Sequence, residues 1–136
     1  MQLNLLLVPE GLDRTLTDAL TLCAQQADAI GLVYLGDRIQ AHLRSAKAAS
    51  LANPMVHVAL AEAIAATYDK LIARWDSLPT AARPWLQGAM LYFVETDDDD
   101  PDFDSPIGFE DDVEVLNACL RMAGLEELCL SPEDFD

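Results

Sequence analysis

Hydrophobic residues recur at steps of three and four along most of the chain, which is the spacing of one face of an α-helix. A first stripe spans residues 12–30, with Asp13 as the predicted N-cap and Gly31 just past the predicted end. A second stripe spans residues 32–46, and the polar residues within it fall on the opposite face. The pattern therefore predicts two amphipathic helices, the second extending to about Ser50.

The middle of the chain carries two further helical stripes. Asn53 followed by Pro54 is typical of a helix start, because the side chain of Asn caps the first turn and proline fits the first helical position. Apolar residues then line one face over residues 56–75. The next helix is predicted to begin at residues 79–80, with Pro84 in its first turn and an apolar stripe up to Phe93.

A last long helix is predicted over residues 111–120, with Gly124 as its C-terminal stop. No alternation typical of a β-strand continues beyond the first few residues of the chain. A length of 136 residues and a hydrophobic fraction of 51% suffice for one packed core. The sequence thus predicts an all-α single-domain bundle of about five helices over residues 1–130, an ordered Asp-rich loop over residues 96–112, and a frayed acidic tail over residues 131–136.

Charge is distributed very unevenly. Residues 1–94 carry eight acids and seven bases, whereas residues 95–136 carry sixteen acids and a single base, Arg121. Adaptation to high salt would spread acids over the whole surface, so this local excess indicates another cause. Direct binding to a nucleic-acid backbone is disfavoured because it depends on clustered Lys and Arg. Cations and basic protein surfaces are the partners that fit this charge.

The sequence also bears on the compartment. Cys23, Cys119 and Cys129 form no CxxC pair and leave an odd thiol, which favours a reducing cytoplasm and buried, apolar roles for the three side chains. The apolar start, residues 1–9, has no basic residue before it, so no signal peptide is expected. No apolar run approaches the roughly 20 residues of a membrane span. A soluble cytoplasmic protein is expected.

Nothing in the sequence predicts a catalytic residue. Nucleophile triads, Walker loops and dinucleotide fingerprints are absent from the sequence. His42 and His57 stand on separate predicted helices without a Cys or carboxylate at metal-ligand spacing, which favours a structural role for each. We therefore expect a protein that is not an enzyme.

The Asp-rich loop resembles an EF-hand calcium loop over residues 100–111. Oxygen ligands fall at positions 1, 3, 5 and 12 of the twelve, with Ser105 at position 6 where glycine is usual and Pro106 offering a carbonyl at position 7. Binding of Ca²⁺ or Mg²⁺ would relieve the repulsion among the carboxylates. The predicted metal ligands are Asp100, Asp102, Asp104 and Asp111.

An overlapping set of residues carries a second resemblance, over about residues 86–120. The spacing D-x-x-P-D-F, four residues, G-aromatic-x-D-D is similar to the signature of the YkvA-like family of small bacterial domains. The matching residues are Asp98, Pro101, Asp102, Phe103, Gly108, Phe109, Asp111 and Asp112. The resemblance implies a helix, a rigid Pro-containing turn and a helix, and it implies no activity. Ordinary capping would make Asp102 and either Asp111 or Asp112 helix caps, and burial would place Phe103, Ile107 and Phe109 in the core.

Three functions remain open at this point. The leading hypothesis is a non-enzymatic interaction or regulatory protein that presents its acidic C-terminal third to a basic protein, such as an immunity protein against a basic toxin or a mimic of nucleic acid. The main alternative is a divalent-cation binding protein that uses loop 100–111. Hydrolysis by a metal-bound water at the same carboxylates is the third.

The cation hypothesis predicts that Ca²⁺ or Mg²⁺ binds the purified protein with measurable heat and raises its melting temperature, because a ligand that binds only the folded state stabilises it by about 2.7 kcal/mol at a hundredfold excess over Kd. Isothermal titration calorimetry measures this. The double variant Asp102→Asn/Asp104→Asn is expected to lose the heat, and Asp18→Asn/Asp37→Asn, with the same net charge, to retain it. A titration without heat or thermal shift would contradict the hypothesis.

Overall fold

The computed structural model describes residues 8–52, 58–95, 110–131 and 134. Its α-helices are α1 (Arg14–Ala27), α2 (Leu32–Ala52), α3 (Val58–Ala73), α4 (Arg83–Glu95) and α5 (Glu110–Met122). Short 3-10 helices occupy Trp75–Ser77 and Glu126–Leu128. No strand occurs in the described ranges, and the prediction of an all-α bundle is confirmed.

The start of α1 follows the prediction and its end does not. The Asp13 carboxylate accepts a hydrogen bond from the Leu16 amide at 2.8 Å, as expected of an N-cap. The helix ends at Ala27, earlier than predicted, with Asp28 as its C-cap. Gly31 instead lies directly before α2, where its carbonyl accepts from the Leu35 amide at 3.1 Å. Periodicity alone misses this boundary because Ile30 is half-buried in the connection and continues the apolar spacing.

The connection between α3 and α4 is tighter than the sequence pattern indicates. α3 ends at Ala73. Trp75, which the sequence pattern assigned to α3, lies in a 3-10 helix instead. α4 begins at Arg83, later than residues 79–80, and Pro84 lies in its first turn as predicted. The Arg83 guanidinium closes the connection by donating to the carbonyls of Asp76 at 2.8 Å and Leu78 at 3.2 Å. The predicted start of α3 at Asn53 and Pro54 lies outside the described residues.

α4 is the central helix of the bundle and packs against α1, α2 and α5. Its buried apolar residues point in several directions, which is the pattern of a helix enclosed by neighbours. They are Trp85, Leu86, Ala89, Met90, Leu91, Phe93 and Val94. No helix in the described ranges is long and apolar enough to cross a membrane.

Gly88 sets the distance between α1 and α4. A Cβ atom at this position would lie 2.7 Å from the backbone N and Cα of Ala24. Backbone atoms of a packed helix cannot move aside as a flexible side chain does, so the two helices approach closely only because residue 88 is glycine.

Gly88→Ala is therefore expected to destabilise the protein by about 1–3 kcal/mol through overpacking. Gly36→Ala is the matched control, because its Cβ would lie at 3.5 Å from Ile72 Cδ1, an ordinary contact. Because alanine has a higher helix propensity than glycine, Gly36→Ala is expected to stabilise the fold by up to about 1 kcal/mol. Urea denaturation followed by circular dichroism measures both, and equal stabilisation by the two changes would contradict the close contact.

Candidate interaction surface

α5 has one broad buried side and one narrow exposed stripe. Seven of its thirteen residues are buried, including Val113, Leu116 and Leu120. The first turn of α5 contains the acids Glu110, Asp111 and Asp112, and its last turn contains Arg121. Negative charge at the N-terminus and positive charge at the C-terminus of a helix both interact favourably with its dipole. The buried side attaches α5 to α4, and its exposed charges are therefore carried on a rigid element.

Exposed carboxylates cluster on α5 and on the chain that follows it. We use the term acidic surface for the six exposed acids Glu110, Asp111, Glu114, Glu126, Glu127 and Asp134. None of them has an ion-pair partner within 4.0 Å among the residues that the structure describes. The acidic surface therefore carries negative charge that the described part of the fold leaves uncompensated.

The chain turns sharply after α5 and folds back along it. Gly124 has a φ of +76°, its amide donates to the Arg121 carbonyl at 3.2 Å, and the Leu125 amide donates to the Leu120 carbonyl at 2.8 Å. These are the two hydrogen bonds of a Schellman motif, and the predicted stop at Gly124 is confirmed.

Asn117 then holds the returning segment against α5. Its Nδ2 donates to the Leu130 carbonyl and its Oδ1 accepts from the Leu130 amide, both at 2.8 Å. We call this pair of hydrogen bonds the Asn117 clamp. It fixes the position of Leu130 beside α5. Sequence reasoning missed Asn117, although its helical spacing between Glu114 and Arg121 places it on the exposed stripe.

A cleft of about 390 Å³ lies between the N-terminal segment and the end of α5. Arg121 donates from Nη2 to the Glu10 carbonyl at 3.4 Å across one side of the cleft. The cleft is lined by Val8, Glu10, Ala118, Arg121, Met122 and Glu126. It brings residues 8–10 beside the second half of α5, and no sequence pattern indicated it.

Asp112 differs from the other acids of α5 because it is only 2% exposed. It lies close enough to Tyr68 to act on the phenol electrostatically: burial first, and then Cys119 and Asp112, raise the pKa of Tyr68 well above its ordinary value. The Tyr68 hydroxyl is buried and has no hydrogen-bond partner in the described part of the chain. The Phe93 ring lies 6.1 Å from Tyr68 and 4.8 Å from His42, which it meets edge-on. α2, α3 and α5 thus contribute His42, Tyr68 and Asp112 to the core, and Phe93 of α4 lies near the first two.

The prediction that Asp111 or Asp112 caps the start of the last helix is wrong. α5 is described from Glu110, so Asp111 and Asp112 lie inside the first turn and neither is the N-cap residue. Asp111 is exposed and Asp112 is directed into the core. Asp102, Phe103, Ile107 and Phe109, with the whole segment 96–109, lie outside the described residues.

The predictions for cysteine and histidine are met in part. Cys119 is fully buried, its thiol donates to the Trp85 carbonyl at 3.5 Å, and burial raises the pKa of that thiol. Cys23 and Cys129 are only partly buried. His42 is buried, and His57 lies outside the described residues.

Of the four predicted metal ligands, the structure describes only Asp111, which is exposed on α5. Asp100, Asp102 and Asp104 lie in the segment that the structure does not describe. Within the described ranges, no group of three or more His, Cys, Asp or Glu side chains is arranged to hold a metal ion. Binding of Ca²⁺ or Mg²⁺ by loop 100–111 stays a prediction.

Comparison with protein-family models, with curated proteins and with solved structures finds no match for this chain. The resemblance to YkvA-like domains over about residues 86–120 therefore stays a prediction that rests on the residues of the motif alone.

The Asn117 clamp predicts that Asn117→Ala frees the returning segment. Two hydrogen bonds are lost and the part-buried amide and carbonyl of Leu130 lose their partners, so we expect a cost of about 1–3 kcal/mol and faster exchange of the Leu130 amide. Amide hydrogen exchange measures this directly. Gln40→Ala is the control, since it removes two exposed hydrogen bonds to Asp69 and is expected to cost under about 0.5 kcal/mol. Unchanged exchange at Leu130 in Asn117→Ala would show that the clamp does not hold the segment.

Proposed function

We propose that this protein is a non-enzymatic interaction protein that presents its acidic C-terminal third to a basic protein. The observation that carries the proposal is the acidic surface: six exposed carboxylates follow one another along α5 and the segment after it, where Arg121 is the single base. Acids that serve only solubility have no need to concentrate in one third of a chain whose remainder is close to neutral.

The rigidity of α5 supports this function. A charged surface contributes most to recognition when its groups are already placed before the partner arrives, because less side-chain and backbone entropy is lost on binding. The buried side of α5 and the Asn117 clamp place the acidic surface in this way. The sixteen acids of residues 95–136 also create a field that attracts a basic partner from beyond contact distance.

The absence of internal compensation favours an external partner. A carboxylate that already pairs with a base gains less from a second cation, whereas the acids of the acidic surface have no such pair among the described residues. Each close contact with a partner's Lys or Arg is then worth about 0.2–1 kcal/mol at an exposed position and more where water is excluded. Several such contacts together give a specific, salt-sensitive complex.

The test is affinity capture from a lysate of the source species at low and at high salt, comparing two variants of equal net charge. Glu110→Gln/Asp111→Asn/Glu114→Gln neutralises the α5 part of the acidic surface. Asp18→Asn/Asp37→Asn/Glu62→Gln neutralises three exposed acids on α1, α2 and α3.

We expect a basic protein to be recovered by the wild type and by the second variant, and to be lost from the first, with affinity reduced roughly fivefold to a hundredfold. Raising the salt concentration is expected to weaken the capture because it screens exposed charges. Circular dichroism checks that both variants fold. Recovery of no basic protein, or equal losses in the two variants, would overturn the proposal.

A further inference from the structure

Two glycines with positive φ, Gly11 and Gly124, shape the cleft beside Arg121. Gly11 adopts a φ of +93°, and a Cβ atom there would lie 3.0 Å from Arg121 Nη2. Gly124 adopts the other positive φ in the described chain and turns the backbone so that Glu126 reaches the cleft. Both glycines occupy conformations that other residues rarely adopt. The two walls of the cleft therefore depend on positions where glycine is needed.

The lining of the cleft combines one cation, two anions and an apolar wall. Arg121 supplies a guanidinium, Glu10 and Glu126 supply carboxylates, and the remaining lining residues Val8, Ala118 and Met122 are apolar. Arg121 has no ion-pair partner within 4.0 Å among the described residues, and its contacts with the Glu10 carbonyl and the Cys129 thiol leave other N–H groups of the five unused. The guanidinium is thus available to bind a carboxylate in two-point fashion.

This charge pattern selects the chemistry of a ligand. A simple anion would be repelled by Glu10, Glu126 and the surrounding acids, and a simple cation would be repelled by Arg121. A molecule with one carboxylate and two cationic groups matches all three charges of the lining. An aliphatic stem between these groups would cover the apolar wall, and a cleft of about 390 Å³ falls in the range of small-molecule sites, roughly 300–1,000 Å³.

We propose that this cleft binds a free basic amino acid, arginine or lysine. The α-carboxylate of the ligand pairs with the Arg121 guanidinium, and its α-ammonium and side-chain cation pair with the carboxylates of Glu10 and Glu126. The aliphatic stem of the ligand packs against Val8 and Met122. The cleft shares Glu126 with the acidic surface, whereas Glu110, Asp111 and Glu114, the acids changed in the capture experiment, do not line it.

The experiment is isothermal titration calorimetry of the full chain at physiological salt with four probes: L-arginine, L-lysine, L-argininamide and Nα-acetyl-L-arginine. The amide lacks the carboxylate that Arg121 would bind, and the acetylated compound lacks the α-ammonium. We expect saturable binding of arginine or lysine, and binding of the other two compounds weaker by about tenfold or more. The side-chain Nε–Hε NMR signal of Arg121 is expected to shift with arginine, which locates the site.

Three variants test the assigned contacts. Arg121→Gln is expected to weaken the binding of arginine roughly tenfold to a hundredfold without weakening that of argininamide, because only arginine has a carboxylate to pair with the Arg121 guanidinium. Glu126→Gln is expected to weaken both compounds. Asp76→Asn is the control, since it removes an exposed acid of the 3-10 helix Trp75–Ser77 outside the cleft and is expected to change neither affinity. Melting temperatures confirm that the variants are folded.

The proposal is overturned if arginine and lysine do not bind, or if argininamide binds the wild type as tightly as arginine does. Equal binding of Nα-acetyl-arginine would overturn it too, because the ligand would then be the C-terminal residue of a basic polypeptide rather than a free amino acid. A failure here leaves the capture experiment with the acidic surface untouched, since the two tests use different side chains.

Discussion

The contact between Gly88 of α4 and the backbone of Ala24 in α1 is the constraint on which the rest of the bundle depends. It lets α4 approach α1 more closely than any side chain at position 88 would permit. α4 is then enclosed by α1, α2 and α5, and its large residues Trp85, Met90 and Phe93 fill the core from the centre. The position of α5, and with it the direction of the acidic surface, follows from packing on this enclosed helix.

The helices were predictable from the sequence because each buries an apolar stripe with a period near 3.6 residues. The boundaries failed where apolar residues continue into a connection, as Ile30 and Trp75 do. The burial of Asp112 had a signal that charge composition obscured. Asp112 precedes Leu116 by four residues and Cys119 by seven, so helical spacing alone places it on the buried side of α5. A count of acids treats Asp112 as surface charge, whereas its helical spacing predicts a buried position.

The clamp and the cleft were not predictable in the same way. The clamp joins a side chain in α5 to the backbone thirteen residues later, and the cleft joins Glu10 to Arg121 across 111 residues of sequence. Such contacts depend on how the helices pack, which periodicity does not determine. The sequence does show that Arg121 is the one base among the sixteen acids of residues 95–136. In the fold, that residue lies where the segment before α1 contacts the end of α5.

The Asn117 clamp also makes a thiol on the returning segment sensitive to the state of α5. Both hydrogen bonds of Leu130 are made to one side chain, so the segment between the Gly124 turn and Leu130 is held at its two ends. The Cys129 thiol beside the clamp donates to the Asn117 carbonyl at 3.7 Å and is only partly buried. Local opening of the clamp would expose this thiol without unfolding the bundle, so the rate at which a thiol reagent labels Cys129 reports how often the segment leaves α5.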